Sequence, residues 1–261
     1  MSDRVPTVSV ADGGFAGLVA DDRGVSNVVG YVLVFSLVTV TIGTVFTVGL
    51  AGVEDRQEAA RVANVERAFN VFDDNVRDIQ RYDDPSRSTE IRLSGGTLSL
   101  AETTRVELAN ESGGVVLERE YRSLTYRNDE TTIAYETGAW FRSDGGAAVM
   151  RSEPRFVVAD SRTTIPIVML IPDGSQSVSG DETVQVAASR RSSTGPNYAA
   201  TDPGPFELTI NSTYAEAWAR YFDRTDGFTV TDESDDEVVV ELTEGDVIYA
   251  PRVALDIELG S

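Results

Sequence analysis

Three residue types are missing from this 261-residue chain: cysteine, histidine and lysine. Without cysteine there is no disulfide, whatever the compartment. Without histidine the usual general base and the commonest metal ligand are gone. Ser-His-Asp and Cys-His arrangements and histidine-ligated zinc are therefore excluded within this chain. Without lysine, all 22 basic residues are arginine; they face 43 acids, for a net charge of −21. That excess argues against the broad basic surface nucleic acid requires, and against a polybasic grip on anionic lipid. No nucleic-acid partner, no cofactor and no metal site is expected.

Charge is also absent locally. After Asp21-Asp22-Arg23-Gly24, no charged residue occurs until Glu54. A bilayer core about 30 Å thick needs roughly 20 apolar residues in a helix, and residues 25–53 would span about 43 Å at roughly 1.5 Å per residue. The stretch therefore reads as a membrane helix, tilted or emerging before its charges begin. It is about twice the length of the apolar region of a cleaved secretory signal. Residues 1–24 read as a cytoplasmic leader, residues 25–53 as the span in the lipid bilayer, residues 54–84 as an amphipathic helix and residues 85–261 as a β domain.

Within the span, Thr39, Gly43, Thr47 and Ala51 recur at i, i+4, a small-residue stripe where another helix can approach. After it, Val62, Val65, Phe69, Phe72, Val76 and Ile79 recur at 3,4,3,4,3 spacing, a narrow apolar seam. The seam would pack on the following domain or on neighbouring subunits as a short coiled coil. The helix should stop near Asp83-Asp84-Pro85. From Ser88 onward, β-branched runs alternate with Gly and Asp turns. Residues 90–93, 115–121, 131–135, 155–158, 183–187, 206–210, 238–242 and 253–259 read as strands, with residues 165–171 as the buried central one. The fold class is α+β: a long N-terminal helix, then a mainly antiparallel sandwich or barrel-like domain. One short helix interrupts it. Thr213-Tyr214-Ala215-Glu216 has a capping-box pattern, and Trp218, Tyr221 and Phe222 give that helix an aromatic face expected to cover a sheet.

Asn110-Glu111-Ser112 and Asn211-Ser212-Thr213 are possible N-glycosylation sequons if the domain is exported. Asn211 is alternatively placed to serve the start of the aromatic helix. The acidic run Asp232 to Glu237 lacks the glycine and spacing of an EF-hand loop and reads as a solvated turn. No carboxylate pair is singled out for hydrolysis, so no catalytic residue is assigned and the chain is not expected to be an enzyme.

Arg23-Gly24 followed by Val25-Ser26-Asn27-Val28-Val29-Gly30 resembles the class III signal of archaeal type IV pilins and archaellins. In haloarchaeal pilins a basic and a small residue precede Val-Ser-Pro-Val-Ile-Gly; here Asn27 replaces the proline and Val29 the isoleucine. Bacterial pilins usually carry a glutamate where this chain has Val29. The resemblance implies a processing site at Arg23, Gly24 and Val25, cut after Gly24 by a membrane-embedded prepilin peptidase. It also implies single-pass anchoring, a C-terminal domain outside the cytoplasm, and pilin-like partner subunits docking through the N-terminal helix. The segment from Tyr135 to Arg142 resembles haloarchaeal pilin-like proteins of unknown function. The acid-rich, lysine-free composition resembles that of extreme halophiles, whose surface charges are screened at molar salt. The expected function is a pilin-like surface protein, a minor subunit of a filament. The alternatives are a non-polymerising anchored protein whose β domain binds a surface ligand and, less favoured, an anchored carboxylate hydrolase.

Overall fold

The computed structural model describes residues 22–82, 84–110, 114–129, 131–159, 162–191, 198–200, 205–242 and 247–260. The chain forms two compact units, Met1–Gln57 and Glu58–Ser261. Residues 1–21, most of the expected leader, lie outside the described residues.

Helix α1 runs Asp22–Tyr82. No proline interrupts it, and Pro85 closes it from outside. Its segment Val28–Thr47, of mean hydropathy 2.2 and wholly unburied, is long and apolar enough to cross a membrane. The threonine hydroxyls in this stretch are satisfied within the helix. Thr39, Thr41, Thr44 and Thr47 each donate to the carbonyl four residues back, at 2.7–2.9 Å. Such back-bonding lets threonine sit in a medium without water.

The second unit is built of mostly antiparallel sheet. Its strands are β1 (Ser86–Arg92), β2 (Thr97–Ser99), β3 (Thr103–Asn110), β4 (Val115–Arg122), β5 (Leu124–Asn128), β6 (Thr131–Glu136) and β7 (Ala139–Asp144), then β8 (Val149–Ser152), β9 (Val157–Ala159), β10 (Arg162–Thr164), β11 (Ile167–Pro172) and β12 (Ser177–Ser179). There follow β13 (Thr183–Arg190), β14 (Tyr198–Ala200), β15 (Phe206–Asn211), the helix α2 (Ala215–Phe222), β16 (Phe228–Glu233), β17 (Glu237–Leu242), β18 (Ile248–Ala250) and β19 (Arg252–Gly260). A nine-stranded sheet has the order β1-β13-β19-β11-β4-β3-β15-β17-β16, a six-stranded sheet β12-β2-β5-β6-β7-β8, and a four-stranded sheet β14-β18-β10-β9. The run expected as a buried central strand is β11, between β19 and β4 with Ile167 to Leu170 buried. It pairs parallel with β19, and Pro166 sits just ahead of it, where its missing donor costs the ladder nothing.

Two apolar clusters fill this unit. One gathers the helix seam, Val62, Val65, Phe69, Phe72, Val76 and Ile79, all at most 5% exposed, with inward residues of the sheets. The seam thus packs on the chain's own strands, and Glu58–Tyr82 shares a compact unit with them. The other cluster gathers the aromatic face of α2 with strands β15 and β17. The β6–β7 hairpin serves both. Alternation along a strand sends successive side chains to opposite faces. Tyr135 and Trp140 therefore meet Phe72 and Phe69 of α1, while Phe141 stacks on Tyr214 and contacts Trp218 of the α2 region. The hairpin closes through Thr137 (φ +48°) and Gly138 (φ +80°), the left-handed pair a two-residue turn requires.

The capping box is not formed. Tyr214 occupies the N-cap of α2 with no side-chain cap bond. The hydroxyl of Ser212 instead accepts from the Tyr214 backbone N–H at 2.9 Å, and Glu216 pairs with Arg220. The sheet-covering role of the helix is as expected: Ala215, Ala217, Trp218, Ala219, Tyr221 and Phe222 are all buried.

Candidate functional site

The residues singled out at the junction, Arg23, Gly24 and Val25, lie in the first turn of α1; their side chains are outside the described ones. Farther along, Thr39, Gly43 and Thr47 are exposed, and a side chain at Gly43 would meet nothing within 4 Å. The Thr47 hydroxyl is turned onto the Gly43 carbonyl, which leaves a methyl group for packing. The stripe is apolar and shallow, the surface a second helix needs for close approach. Ala51 is in the same helix, with its side chain outside the described ones.

Deeper in the second unit lies a polar centre built on Glu136, at the end of β6. It is 1% exposed. One carboxylate oxygen accepts from the Ser212 hydroxyl at 2.5 Å and the Trp218 indole N–H at 2.6 Å. The other accepts from the hydroxyls of Thr104 at 2.6 Å and Ser123 at 3.2 Å. Burial pushes its pKa up, and the bonds from Ser212, Thr104, Trp218 and Ser123 oppose that shift. Four neutral donors, from β3, the β4–β5 link, the β15–α2 link and α2 itself, converge on one carboxylate. The arrangement fastens the helix and the strands together, and Glu136 lines none of the cavities described below.

A second buried acid belongs to α1. Asp73, 2% exposed, pairs with Arg77 at 2.8 Å and accepts from the Ser152 hydroxyl at 2.7 Å. Burial pushes its pKa up to about 6, against the pull of Ser152 and Arg77. Nearby on the same helix, Glu66 accepts from Arg142 at 3.0 Å. These contacts tie α1 to β7 and β8.

Besides a cavity of about 470 Å³ lined by Glu90, Thr183, Gln185 and Gly260, two others on this unit gather charged side chains. One, about 480 Å³, has Glu102, Glu216, Glu233 and Asp235 on its walls, with Arg127 and Tyr214. The other, about 330 Å³, is lined by Arg77, Arg81 and Arg155. Among the described residues no group of three acids is placed to hold a metal ion. The acidic run forms the exposed turn of the β16–β17 hairpin, closed by a bond from the Ser234 N–H to the Glu237 carbonyl at 2.8 Å.

The chain belongs to DUF7289, a family of unknown function. The family model matches residues 23–258, so it takes in the apolar helix and the β unit together. No curated protein and no solved structure matches the chain.

The two sequons differ in setting. Asn110 ends β3, and its side-chain oxygen accepts from the Gly114 N–H at 2.7 Å; Glu111 and Ser112 lie outside the described residues. Asn211 donates its amide to Glu237 at 2.5 Å rather than capping α2. Its sequon partner Ser212 is buried against Glu136. Sequence reasoning missed Glu136 and Asp73 as structural acids. The signal for Glu136 was its place between Tyr135 and Thr137-Gly138 in an otherwise apolar hairpin; among 43 acids that signal was faint.

Proposed function

We propose that this chain is a membrane-anchored, pilin-like surface protein, a minor subunit of a type IV pilus-like filament. The leader would be removed between Gly24 and Val25 by prepilin peptidase, leaving the span in the bilayer and the C-terminal domain outside the cytoplasm. On this reading the sheets form a sandwich-like domain carried on the helix, in a cell of high salt. One observation supports it most: a single helix whose first part, Val28–Thr47, is apolar and unburied, and whose later seam from Val62 to Ile79 is buried in the β unit. A subunit held by its first half and carrying a domain on its second half needs that division. The Arg23-Gly24 junction supplies the processing site.

The test is the mass of the chain recovered from native membranes. We expect an N-terminus at Val25, with processing blocked by Gly24→Leu, since the peptidase must accommodate a small residue there. An intact leader in cells with active prepilin peptidase would overturn this reading. A non-polymerising anchored protein whose β domain binds a ligand is favoured by two cavities of the second unit. Shearing the cell surface separates the two, because a filament subunit leaves with the filaments and a single anchor stays behind.

A further inference from the structure

With 43 acids for 22 arginines, an arginine without a carboxylate partner calls for a reason. Arg77, Arg81 and Arg155 line one cavity of about 330 Å³ and no acid lines it with them. Gln80 adds an amide, and Pro166, Pro251 and Val253 form an apolar wall. That volume is at the small end of ligand pockets, which combine an apolar wall with a few convergent polar groups.

Among the described residues, Arg77 alone of the three has ion-pair partners. Arg77 is anchored from the side, by Asp73 at 2.8 Å, by the Ser152 hydroxyl at 2.8 Å and by the Glu153 carbonyl at 3.3 Å. Its buried Nε has no hydrogen-bond partner. Arg81 lies over the Tyr82 ring at 5.9 Å, and among the described residues neither Arg81 nor Arg155 forms an ion pair, Arg155 acting on Asp73 only at longer range. Arg81 stands in the last turn of α1, where a cation complements the helix dipole. That account does not extend to Arg155, which comes from the loop between β8 and β9. Like charges gathered in one concavity repel, and an anion bound there would relieve the repulsion through charge-assisted bonds.

We propose that this cavity binds a small organic anion, with its carboxylate or phosphate held by Arg77, Arg81 and Arg155 and its body against Pro166, Pro251 and Val253. The site lies wholly in the second unit and does not depend on membrane anchoring or assembly. Calorimetric titration of the full-length protein in detergent, at fixed molar sodium chloride, tests it with benzoate and inorganic phosphate as separate probes. Saturable benzoate binding is expected. Arg81→Gln and Arg155→Gln should each weaken it about tenfold, the worth of one lost charged hydrogen bond. Arg92→Gln, on the exposed edge of β1, should leave it unchanged. Both pocket arginines are exposed, and urea melts matching the wild type would show that the variants fold. No saturable heat with either probe to about 10 mM, or benzoate binding indifferent to both substitutions, overturns the site. Phosphate binding lost in both variants, with benzoate inert, overturns the role of the apolar wall.

Discussion

Glu136 shows how a buried acid is kept without a basic partner among the described residues. Its four donors are neutral, and each arrives from a different part of the sheet or from α2. Removing one therefore leaves an acceptor short in a dry site, where an unsatisfied polar group costs about 1–3 kcal/mol. Trp218→Phe keeps a ring for Phe141, Phe156 and Phe222 to pack on and deletes only the indole donor. We expect it to lower unfolding stability by about 1–3 kcal/mol in urea melts; a loss under about 0.5 kcal/mol would show that the bond contributes nothing beyond surface-level noise. Asp73 makes a prediction in pH. Its folded pKa stands near 6 against 3.8 for the free side chain, so the folded state holds this proton more tightly. The resulting stabilisation is complete below about pH 3.8 and is lost as pH rises through about 6, at most about 3 kcal/mol. Asp73→Asn should lack that slope. Identical pH profiles for the two proteins, measured by urea melts at constant salt, would refute it.

At the scale of elements, α1 carries two sequence patterns with two outcomes. The seam at 3,4,3,4,3 spacing is buried against the strands of its own unit, where about five helical turns of apolar stripe meet apolar sheet surface. In the stripe at i, i+4, a side chain at Gly43 would meet no described atom within 4 Å, and Thr39 and Thr47 are exposed. Gly43→Leu should leave membrane insertion unchanged, since it adds apolarity, and should reduce helix–helix crosslinking in native membranes by filling the groove. Equal crosslinking in both proteins would remove the stripe as an interface. The β6–β7 hairpin is the other pivotal element. Its alternation supplies aromatic contacts to α1 on one face and to α2 on the other, so one short hairpin joins the two cores.

Over the whole molecule, charge sets the working conditions. The net charge of −21 means that many carboxylates have no arginine to pair with, and most ion pairs present are partly exposed, where each contributes little. Repulsion then opposes compaction. At molar salt the screening length is about 3 Å, and at 0.1 M it is about 10 Å. The full chain in detergent should lose its cooperative thermal transition as salt falls across that range. A melting temperature independent of salt would sink the idea that screening supports the fold.

The sequence by itself determined what depends on neighbours along the chain. Twenty-nine residues without a charge give an apolar helix whatever surrounds it, and 3,4 spacing gives a helix with one apolar side. β-branched runs between glycine turns give strands, and each run read from the sequence contains or overlaps an observed one. Strands such as β15, where Glu207 and Thr209 alternate with buried Phe206, Leu208 and Ile210, were legible by their period of two, while β3, of the same period, was not among the runs read. The three-residue strands β2, β10 and β14 were not, since so short a run carries no period. Only the tertiary structure decided which acids go inside. Glu136 and Asp73 look like the other carboxylates along the chain, and the hydroxyl and indole donors that admit them arrive from 13 to 82 residues away. The same holds for the cap of α2, where Ser212 is drawn to Glu136 and the local capping box loses to that distant bond. It holds also for the arginine cavity, whose Arg77 and Arg155 meet because α1 and the β8–β9 loop pack side by side. Local pattern fixes the elements, while desolvation and long-range hydrogen bonding select the few polar groups that the folded interior can keep.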